Sequence, residues 1–184
     1  MKILSLLFHS RDFHGQLEES RGRLYRVAYA WCHDAVLAED LAQETLAKAL
    51  SKAGQLRDLQ MLNSWLFSIL ANCWRDHFRR LKNTDELDEM EEAKLVSDSN
   101  PEDEHARNQI VNRVRSAIAD LPLGQRKVLM LVDLEEFSYN EVAEILEIPV
   151  GTVMSRLCRA RKALKEILIV RQQDWSQTPI RRIK

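Results

Sequence analysis

Between positions 152 and 162 the sequence places two short hydroxyl side chains ahead of four cations. These polar residues are, in order, Thr152, Ser155, Arg156, Arg159, Arg161 and Lys162. Short hydroxyls allow close approach of a polar surface, and guanidinium groups bind guanine edges or phosphate oxygens. The apolar residues of the same stretch recur as on the buried face of a helix: Val153, Leu157, Ala160 and Leu164. The pattern predicts a helix whose polar side contacts nucleic acid. The alternative is an ordinary amphipathic helix with a solvated basic face.

Residues 138–164 together predict two short helices separated by a turn at Pro149. Ser138 and Glu141 have the spacing of a capping box, so the first helix is predicted to begin there. Proline lacks an amide donor and disfavours a helical residue before it, so this helix should end near Leu146. Two helices joined by a short turn are typical of a helix-turn-helix, whose second helix enters the major groove of DNA.

Composition favours an all-α protein with two small domains. Five glycines and four prolines occur in 184 residues, and apolar positions recur every three to four residues. Asp34 is the predicted cap of the second helix, and Gly54 is its predicted stop. The helices outside the helix-turn-helix are expected at about 16–32, 36–51, 64–80, 102–119 and 124–133.

An acidic stretch divides the chain. Residues 83–104 hold ten acidic residues and a single base, Lys94, whereas the rest of the chain has 26 Lys and Arg against 18 Asp and Glu. The formal net charge of -1 therefore conceals a basic protein of about +8 outside this stretch. We predict a domain at 1–82, a flexible acidic linker at 83–104, a second domain at 105–170 and a tail at 171–184.

The three cysteines, Cys32, Cys73 and Cys158, are odd in number and far apart, which predicts no disulfide framework or zinc site and fits a reducing cytoplasm. A histidine follows Cys32 directly and another lies four residues after Cys73, but incidental packing is favoured over a metal or redox site. The apolar opening MKILSLLF is too short for a signal peptide or a membrane span. No Gly-rich phosphate loop, HExxH pattern or nucleophile elbow occurs, so we expect no enzyme activity, cofactor or small-molecule substrate.

Three sequence blocks make the chain similar to a known family: LAEDLAQETLAKAL at 37–50, NSWLFSILANCWRDHFRRL at 63–81, and LPLGQRKVLML at 121–131 before the helix-turn-helix. In this order they resemble a bacterial extracytoplasmic function (ECF) sigma factor of the sigma-70 family, over about residues 13–168. The resemblance implies sigma region 2 before the linker and sigma region 4 after it. It also implies a subunit that binds core RNA polymerase, recognises the -35 and -10 promoter elements, melts the promoter and initiates transcription of a stress- or signal-responsive regulon.

The second helix is predicted to turn an acidic, hydrogen-bonding face outward. Its inward residues are expected to be Ala38, Leu41, Ala42, Thr45 and Ala49. By resemblance, Asp40, Gln43 and Glu44 dock on the arginine-bearing coiled coil of the polymerase β' subunit, through charge-assisted hydrogen bonds. The β flap is the other expected polymerase contact. The alternative is that the acidic face of the second helix is simply exposed to solvent.

The third helix combines amides, aromatic rings and cations, which suits single-stranded DNA because rings stack on bases and cations follow phosphates. By resemblance, this helix and the loop after it melt the -10 element and trap an unstacked base, with Asn72 at a base-contacting position. The cations expected along the same strand are Arg75, Arg79 and Arg80. The alternative for Asn72 is a surface amide or cap. Trp65 matches a buried tryptophan of the family, which assigns it to the core.

The recognition helix is assigned to the -35 element by the same resemblance. Its predicted contacts are Thr152, Ser155, Arg156 and Arg159, with Arg161 and Lys162 on phosphates. Met154 and Cys158 depart from the basic and bulkier residues of many relatives. A methionine can touch a thymine methyl but cannot read guanine with two hydrogen bonds. The promoter motif therefore does not follow from the family.

Factors of this family are commonly held inactive by an anti-sigma factor, often membrane-anchored, so such a protein is an expected partner besides promoter DNA and core polymerase. A second hypothesis is a stand-alone helix-turn-helix regulator that binds operator DNA without polymerase. That class requires neither the acidic face of the second helix nor the tryptophan and arginine residues of the third.

The acidic linker has two interpretations, a solvated tether or a segment that competes with nucleic acid for the basic faces. If it competes, replacing its ten acids by the matching amides should strengthen binding of the free protein to DNA at fixed salt. Fluorescence anisotropy with a labelled duplex measures this change. Unchanged affinity would leave only the tether.

Overall fold

The computed structural model describes the backbone of residues 2–56, 58–84 and 107–176, and the side chains of 13–56, 58–80 and 111–171. All regular elements in these ranges are helical, which confirms the all-α prediction. The predicted linker lies outside the described residues from position 85 onward. The α-helices are α1 (Lys2–Cys32), α2 (Ala35–Ser51), α3 (Leu62–Thr84), α4 (Arg107–Ala119), α5 (Leu123–Leu129), α6 (Tyr139–Leu146) and α7 (Val150–Ser176). We call α1–α3 the first module and α4–α7 the second module.

Helix starts follow the predicted caps. The Asp34 carboxylate accepts the amides of Val36 and Leu37 at 2.8 and 3.0 Å, and α2 begins there. Ser138 and Glu141 form the predicted capping box, in which each side chain accepts the backbone amide of the other residue, at 3.3 and 2.8 Å. These amides have no partner inside a helix, so short polar acceptors mark both starts in the sequence.

The connection between α2 and α3 differs from the predicted one. α2 ends at Ser51, and Gly54 lies in a separate 3-10 turn, Ala53–Gln55. A second 3-10 turn leads into α3, and it is capped by Asp58, whose carboxylate accepts the Gln60 amide at 2.9 Å. α3 therefore begins two residues earlier than expected, because the turn before it already has helical backbone.

Three further boundaries differ from the predicted ones. The predicted helix at 124–133 is α5 followed by a π-helical turn, in which the Glu135 amide donates to the Met130 carbonyl at 3.1 Å. The first and last helices are longer than expected, since α1 begins at Lys2 and α7 runs to Ser176. Weak apolar periodicity at the chain ends does not exclude a helix.

The first module buries the predicted face of α2. The α2 residues inside it are Ala38, Leu41, Ala42, Thr45 and Ala49, as expected. Two tryptophans fill the space between α1 and α3, because the rings of Trp31 and Trp74 meet edge to face at 5.8 Å. Trp65, assigned to the core, packs against it but is only partly buried, and its outer side lines a cleft between α3 and α6. Its place in the first turn of α3 puts it at the rim of the module.

The two modules pack directly against each other, which the sequence did not predict. The rings of Phe67 in α3 and Phe137 before α6 lie 5.2 Å apart, and both side chains are buried. The Lys127 ammonium of α5 lies 5.2 Å from the Trp31 ring and 4.9 Å from the Trp74 ring. The buried residues of both modules therefore form one hydrophobic core.

Buried polar bonds cross the same interface. The Arg126 guanidinium, 8% exposed, donates to the carbonyls of Ala30 and Trp31 at 3.2 and 3.0 Å. These carbonyls belong to the last turn of α1, where they have no intrahelical donor and carry the negative end of the helix dipole. Arg23 of α1 bonds the buried carboxylate of Glu135 at 2.7 Å. The interface thus pairs each of its buried charges with an acceptor or a countercharge.

The titration of His33 should make this interface sensitive to acid. It follows α1 in left-handed backbone (φ 54), and its Nε2 is buried. Its pKa is lowered to about 4, first by burial and then by the positive charge of Arg126, with Asp120 opposing the change. Since the unfolded state binds the proton more readily, the stability that neutral His33 provides should fall as pH drops from about 6.5 to 4, by roughly 1–2 kcal/mol because solvent screens part of the effect at this half-buried residue.

Urea unfolding at pH 7, 5.5 and 4.5 measures this loss. His33→Asn is the matched variant, because asparagine tolerates left-handed backbone and does not titrate. The variant should lose clearly less stability over this range than the wild type. Parallel pH profiles for the two proteins would contradict the assignment.

Candidate functional site

The outer face of α2 presents the three residues predicted to bind polymerase. Asp40 and Gln43 are exposed, and Glu44 is half-buried. The Gln43 amide donates to Glu39 at 2.9 Å, and Glu39 also accepts Arg21 from α1 at 2.6 Å. The hydrogen bond from Gln43, and then the one from Arg21, hold the pKa of Glu39 below its usual value. Glu39 therefore stays ionised and orients the Gln43 side chain.

Glu39 was missed by the sequence reasoning, although its i,i+4 spacing from Gln43 is a signal for such a contact. At the other end of the face, Glu44 forms an ion pair with Lys48 at 2.8 Å. Lys48 also lies 3.8 Å from Asp76 of α3, and the hydrogen bond that Lys48 donates to Glu44 is the main cause of the raised pKa of Lys48. The face is thus acidic and partly pre-oriented, which suits guanidinium donors on a partner.

The α3 residues predicted to contact DNA lie along consecutive turns. Asn72, Arg79 and Arg80 are exposed and Arg75 is half-buried. The Arg75 guanidinium donates to the amide oxygen of Asn72, which brings these two predicted readers into one group. Arg79 lies one turn further and is paired with Asp76 at 2.8 Å. The arrangement offers one amide and several cations to a nucleic-acid strand.

The same group is contacted by the second module. Glu147, between α6 and α7, accepts two hydrogen bonds from Arg75, at 2.5 and 2.7 Å. The bond raises the pKa of Arg75 and lowers that of Glu147, in each case mainly through the hydrogen bond itself. Sequence reasoning missed Glu147, because 72 positions separate the two residues and no local pattern joins them.

A cleft of about 340 Å³ lies beside this contact, between α3 and α6. Trp65 forms one aromatic wall, and hydroxyl and amide groups stand at the rim. The remaining lining residues are Gln55, Leu56, Asp58, Met61, Ser64 and Ser68 from the first module, with Glu141, Glu144 and Ile145 from the second. A cleft with an aromatic wall and a polar rim can hold a planar base, although acidic residues of α6 now line one side of it.

The recognition helix α7 carries five of its six predicted residues on one side. These are Thr152, Ser155, Arg156, Arg159 and Lys162. The Arg159 guanidinium lies along the helix and donates to the Ser155 carbonyl at 3.2 Å. Arg161 lies on the opposite side, where it donates to Asp133 of the π-helical turn at 2.5 and 3.1 Å. The structure therefore does not place Arg161 with the other predicted contacts.

Arg156 depends on a glycine in a neighbouring helix. A Cβ at Gly124 would lie 2.9 Å from the Nη1 atom and 3.1 Å from the Cζ atom of Arg156. The first distance is shorter than real Cβ contacts and the second is unusually tight, so any larger residue would make the end of the flexible Arg156 side chain shift. Sequence reasoning gave Gly124 no role beyond the approximate start of a helix.

In the described part of the chain, no group of three or more His, Cys, Asp or Glu side chains is placed to hold a metal ion. Cys32 and Cys73 are buried, and Cys158 is exposed on α7. Within residues 2–56, 58–84 and 107–176, none of the helices combines the length and apolar character needed to cross a bilayer.

Comparison with known proteins assigns both modules. The family model of sigma-70 region 2 matches residues 17–84, and that of sigma-70 region 4 matches residues 112–164. The chain is 35% identical, over 72% of each protein, to the ECF RNA polymerase sigma factor EcfG of Rhodopseudomonas palustris. It is also 35% identical to the RNA polymerase sigma-H factor of Pseudomonas aeruginosa, over 74% of this chain and 75% of that protein.

A solved structure has the same fold. The sigma factor RpoE of Bartonella quintana, in complex with the anti-sigma factor NepR, superposes with a TM-score of 0.68 and 28% identity. The match covers 87% of this chain and 98% of that one.

The contact between Gly124 and Arg156 predicts a loss of DNA binding in Gly124→Ala. The added methyl should displace the guanidinium and weaken binding to duplex DNA by roughly twofold to tenfold, less than the loss of a whole bidentate contact. Binding is measured by fluorescence anisotropy, with thermal unfolding as the check on folding. In an Arg156→Ala background the same change should have no effect. An equal loss in both backgrounds would contradict the role of Arg156.

Proposed function

Because this chain belongs to the extracytoplasmic function sigma factors of the sigma-70 family, we propose specific roles for the faces described above. A sigma factor binds core RNA polymerase, directs it to promoter DNA and starts transcription; the family has no catalytic activity of its own. The observation that carries the function is that both sigma-70 regions match, in order, on the two helical modules. The roles of individual residues rest on their exposure and charge.

The α2 face binds core polymerase through Asp40, Gln43 and Glu44. Two of these side chains are exposed, and Gln43 is held by Glu39, so little ordering is needed on binding. Carboxylates and an oriented amide complement the arginines expected on the β' coiled coil. The second module is proposed to contact the β flap.

The α3 face binds the -10 element. Asn72 hydrogen-bonds an unstacked base, and Arg75, Arg79 and Arg80 follow the phosphates of the same strand. The cleft beside Trp65 lies next to this group and has the aromatic wall that a base would stack on. Binding of an unstacked base offsets the free energy of opening the duplex, so melting needs no hydrolysis of ATP.

The α7 face binds the -35 element through Thr152, Ser155, Arg156 and Arg159, and Lys162 contacts a phosphate. Base contacts provide sequence specificity, and phosphate contacts position the helix on the duplex. Arg161 would join them only by leaving Asp133.

In domain terms, residues 1–82 form region 2, 83–104 the linker and 105–170 region 4, with the rest a tail. The chain acts in the cytoplasm, where RNA polymerase is found. Control by an anti-sigma factor, membrane-anchored or soluble, follows from the complex reported for the Bartonella relative. The stand-alone regulator is not favoured, because both sigma regions match and the polymerase-binding residues are exposed.

In vitro transcription tests the function. The purified chain is added to core polymerase on a random promoter library, and the transcripts report both activity and preferred elements. Asp40→Asn with Glu44→Gln should reduce transcription together with co-sedimentation of the chain with core polymerase, since both depend on the same face. Binding to core polymerase without promoter-specific transcripts would contradict the proposed function.

Asn72→Ala separates base capture from general DNA binding. We expect open-complex formation to fall about tenfold, the effect of roughly one lost base contact, while closed-complex binding stays nearly constant. Permanganate reactivity of promoter thymines measures opening, and gel shift measures binding of the holoenzyme. Gln60→Ala, at an exposed position of the turn before α3 that does not line the cleft, is the control for general disturbance of this region. Equal losses in the two assays would contradict base capture by Asn72.

A further inference from the structure

The ion pair between Glu147 and Arg75 connects the turn before α7 to the α3 face that is proposed to bind the -10 element. We propose that the free chain closes on itself, so that the Glu147 carboxylate occupies the -10 reader Arg75, which in turn holds Asn72, in place of a DNA phosphate. The inference rests on the proposed role of these two α3 residues. Release of Glu147 is then a required step before promoter binding.

The geometry of the contact is that of phosphate recognition. Both terminal nitrogens of Arg75 donate to the two oxygens of Glu147, at 2.5 and 2.7 Å. One of those nitrogens also donates to the Asn72 side chain. Guanidinium groups bind phosphates through the same two-pronged arrangement, so carboxylate and phosphate compete for the same donors.

The backbone presents Glu147 in a defined position. The residue caps α6 in left-handed conformation (φ 55), and its amide donates to carbonyls of the preceding helical turn. Pro149 follows two residues later, at the start of α7. Left-handed backbone is uncommon outside glycine, so this carboxylate is held by the helix-turn-helix itself rather than by a loose loop.

The closed arrangement cannot bind both promoter elements at once. Their names place the -10 and -35 elements about 25 base pairs apart, or about 85 Å along B-form DNA. In the structure the turn that precedes α7 touches α3 directly. Even α7, with 27 residues, is only about 40 Å long. The modules must therefore separate, and the 22 positions between Thr84 and Arg107 are enough to reach about 75 Å when extended.

The buried and the exposed contacts have different roles in closure. Arg126, the Phe67 and Phe137 rings and the Glu135 carboxylate are buried, so they hold the modules together. The side chains of Arg75 and Glu147 remain 40% and 62% exposed, so their ion pair adds only a modest amount. Its effect is to make closure and -10 binding mutually exclusive. Removing Glu147 alone should thus shift activity by roughly twofold to fivefold rather than abolish control.

Distance measurements on the full chain test closure itself. Cys158 is the exposed native cysteine of α7, Cys32 and Cys73 are buried, and Ser51→Cys adds a second label on exposed α2. Fluorescence energy transfer between the labels should report a short distance in the free chain. Glu147→Arg repels Arg75 and should lower the transfer efficiency in part, since the buried contacts still hold the modules, and the swap Arg75→Glu with Glu147→Arg should restore the wild-type efficiency. A free wild-type chain without this short distance, or a swap that stays open, would overturn the proposal.

Transcription separates this inference from the proposed function. At limiting sigma factor on a promoter from the library, Glu147→Gln should raise initiation about twofold to fivefold, whereas the closed swap should be inactive because Arg75 is lost. Glu136→Gln is the matched control, since it removes the same charge from an exposed residue of the second module that, like Glu147, has left-handed backbone (φ 60), and Glu136 does not line the cleft. Equal effects of the two changes, or no effect of Glu147→Gln, would overturn the proposed competition between Glu147 and DNA for Arg75. Absence of transcripts with the wild type would instead overturn the proposed function.

Glu147→Asn provides a second neutral variant, since asparagine accepts left-handed backbone. It should behave like Glu147→Gln in both measurements. Circular dichroism of each variant checks that its helices are intact. If Glu147→Gln and Glu147→Asn both fold but change activity in opposite directions, the proposed competition for Arg75 is contradicted.

Discussion

The buried guanidinium of Arg126 joins the two modules, and the placement of the other interface contacts depends on it. It lies in α5 yet donates to the last carbonyls of α1, while a further bond to the Leu121 carbonyl at 2.9 Å holds it in its own module. A charge removed from water must keep these partners, since an unpaired buried cation is strongly destabilising. In the closed chain the two modules are therefore held in one relative position, with α6 against α3.

That position explains which faces are open and which are occupied. The outer face of α2 remains exposed, so the proposed polymerase contact is available in the closed chain. The Asn72 and Arg75 group is occupied by Glu147, and Arg161 by Asp133. Among the cations predicted to bind DNA, Arg75, Arg79 and Arg161 thus have acidic partners within the protein. In the closed conformation the proposed polymerase-binding face is therefore accessible, whereas the proposed -10 contact is not.

Electrostatics link these observations to the composition. A formal charge of -1 comes from a basic chain and an acidic stretch at 83–104. Charge is also neutralised locally among the described residues, because individual carboxylates form ion pairs with individual guanidinium groups. Net charge alone would suggest weak binding to nucleic acid. The distribution of charge indicates instead a nucleic-acid binder in which several of the cations, on α3 and at Arg161, are paired with carboxylates of the protein itself.

Local chemistry determined much of this protein from sequence alone. The Asp34 cap, the Ser138 capping box, the inward face of α2 and the helix-turn-helix were all predicted, because each depends on residues within a few positions of one another. The family and its two regions were predicted from three blocks of residues. The polymerase-binding and DNA-binding residues stay predictions.

Only the tertiary structure decided how the modules meet. The bonds of Arg126 to α1 and of Arg75 to Glu147 join residues 72 to 96 positions apart, and no periodicity encodes such pairs. The same limit explains the rim position of Trp65 and the room that Gly124 leaves for Arg156, since burial depends on what packs alongside. Helical propensity and capping act along the chain, whereas these contacts arise when separate helices exclude water from a shared surface.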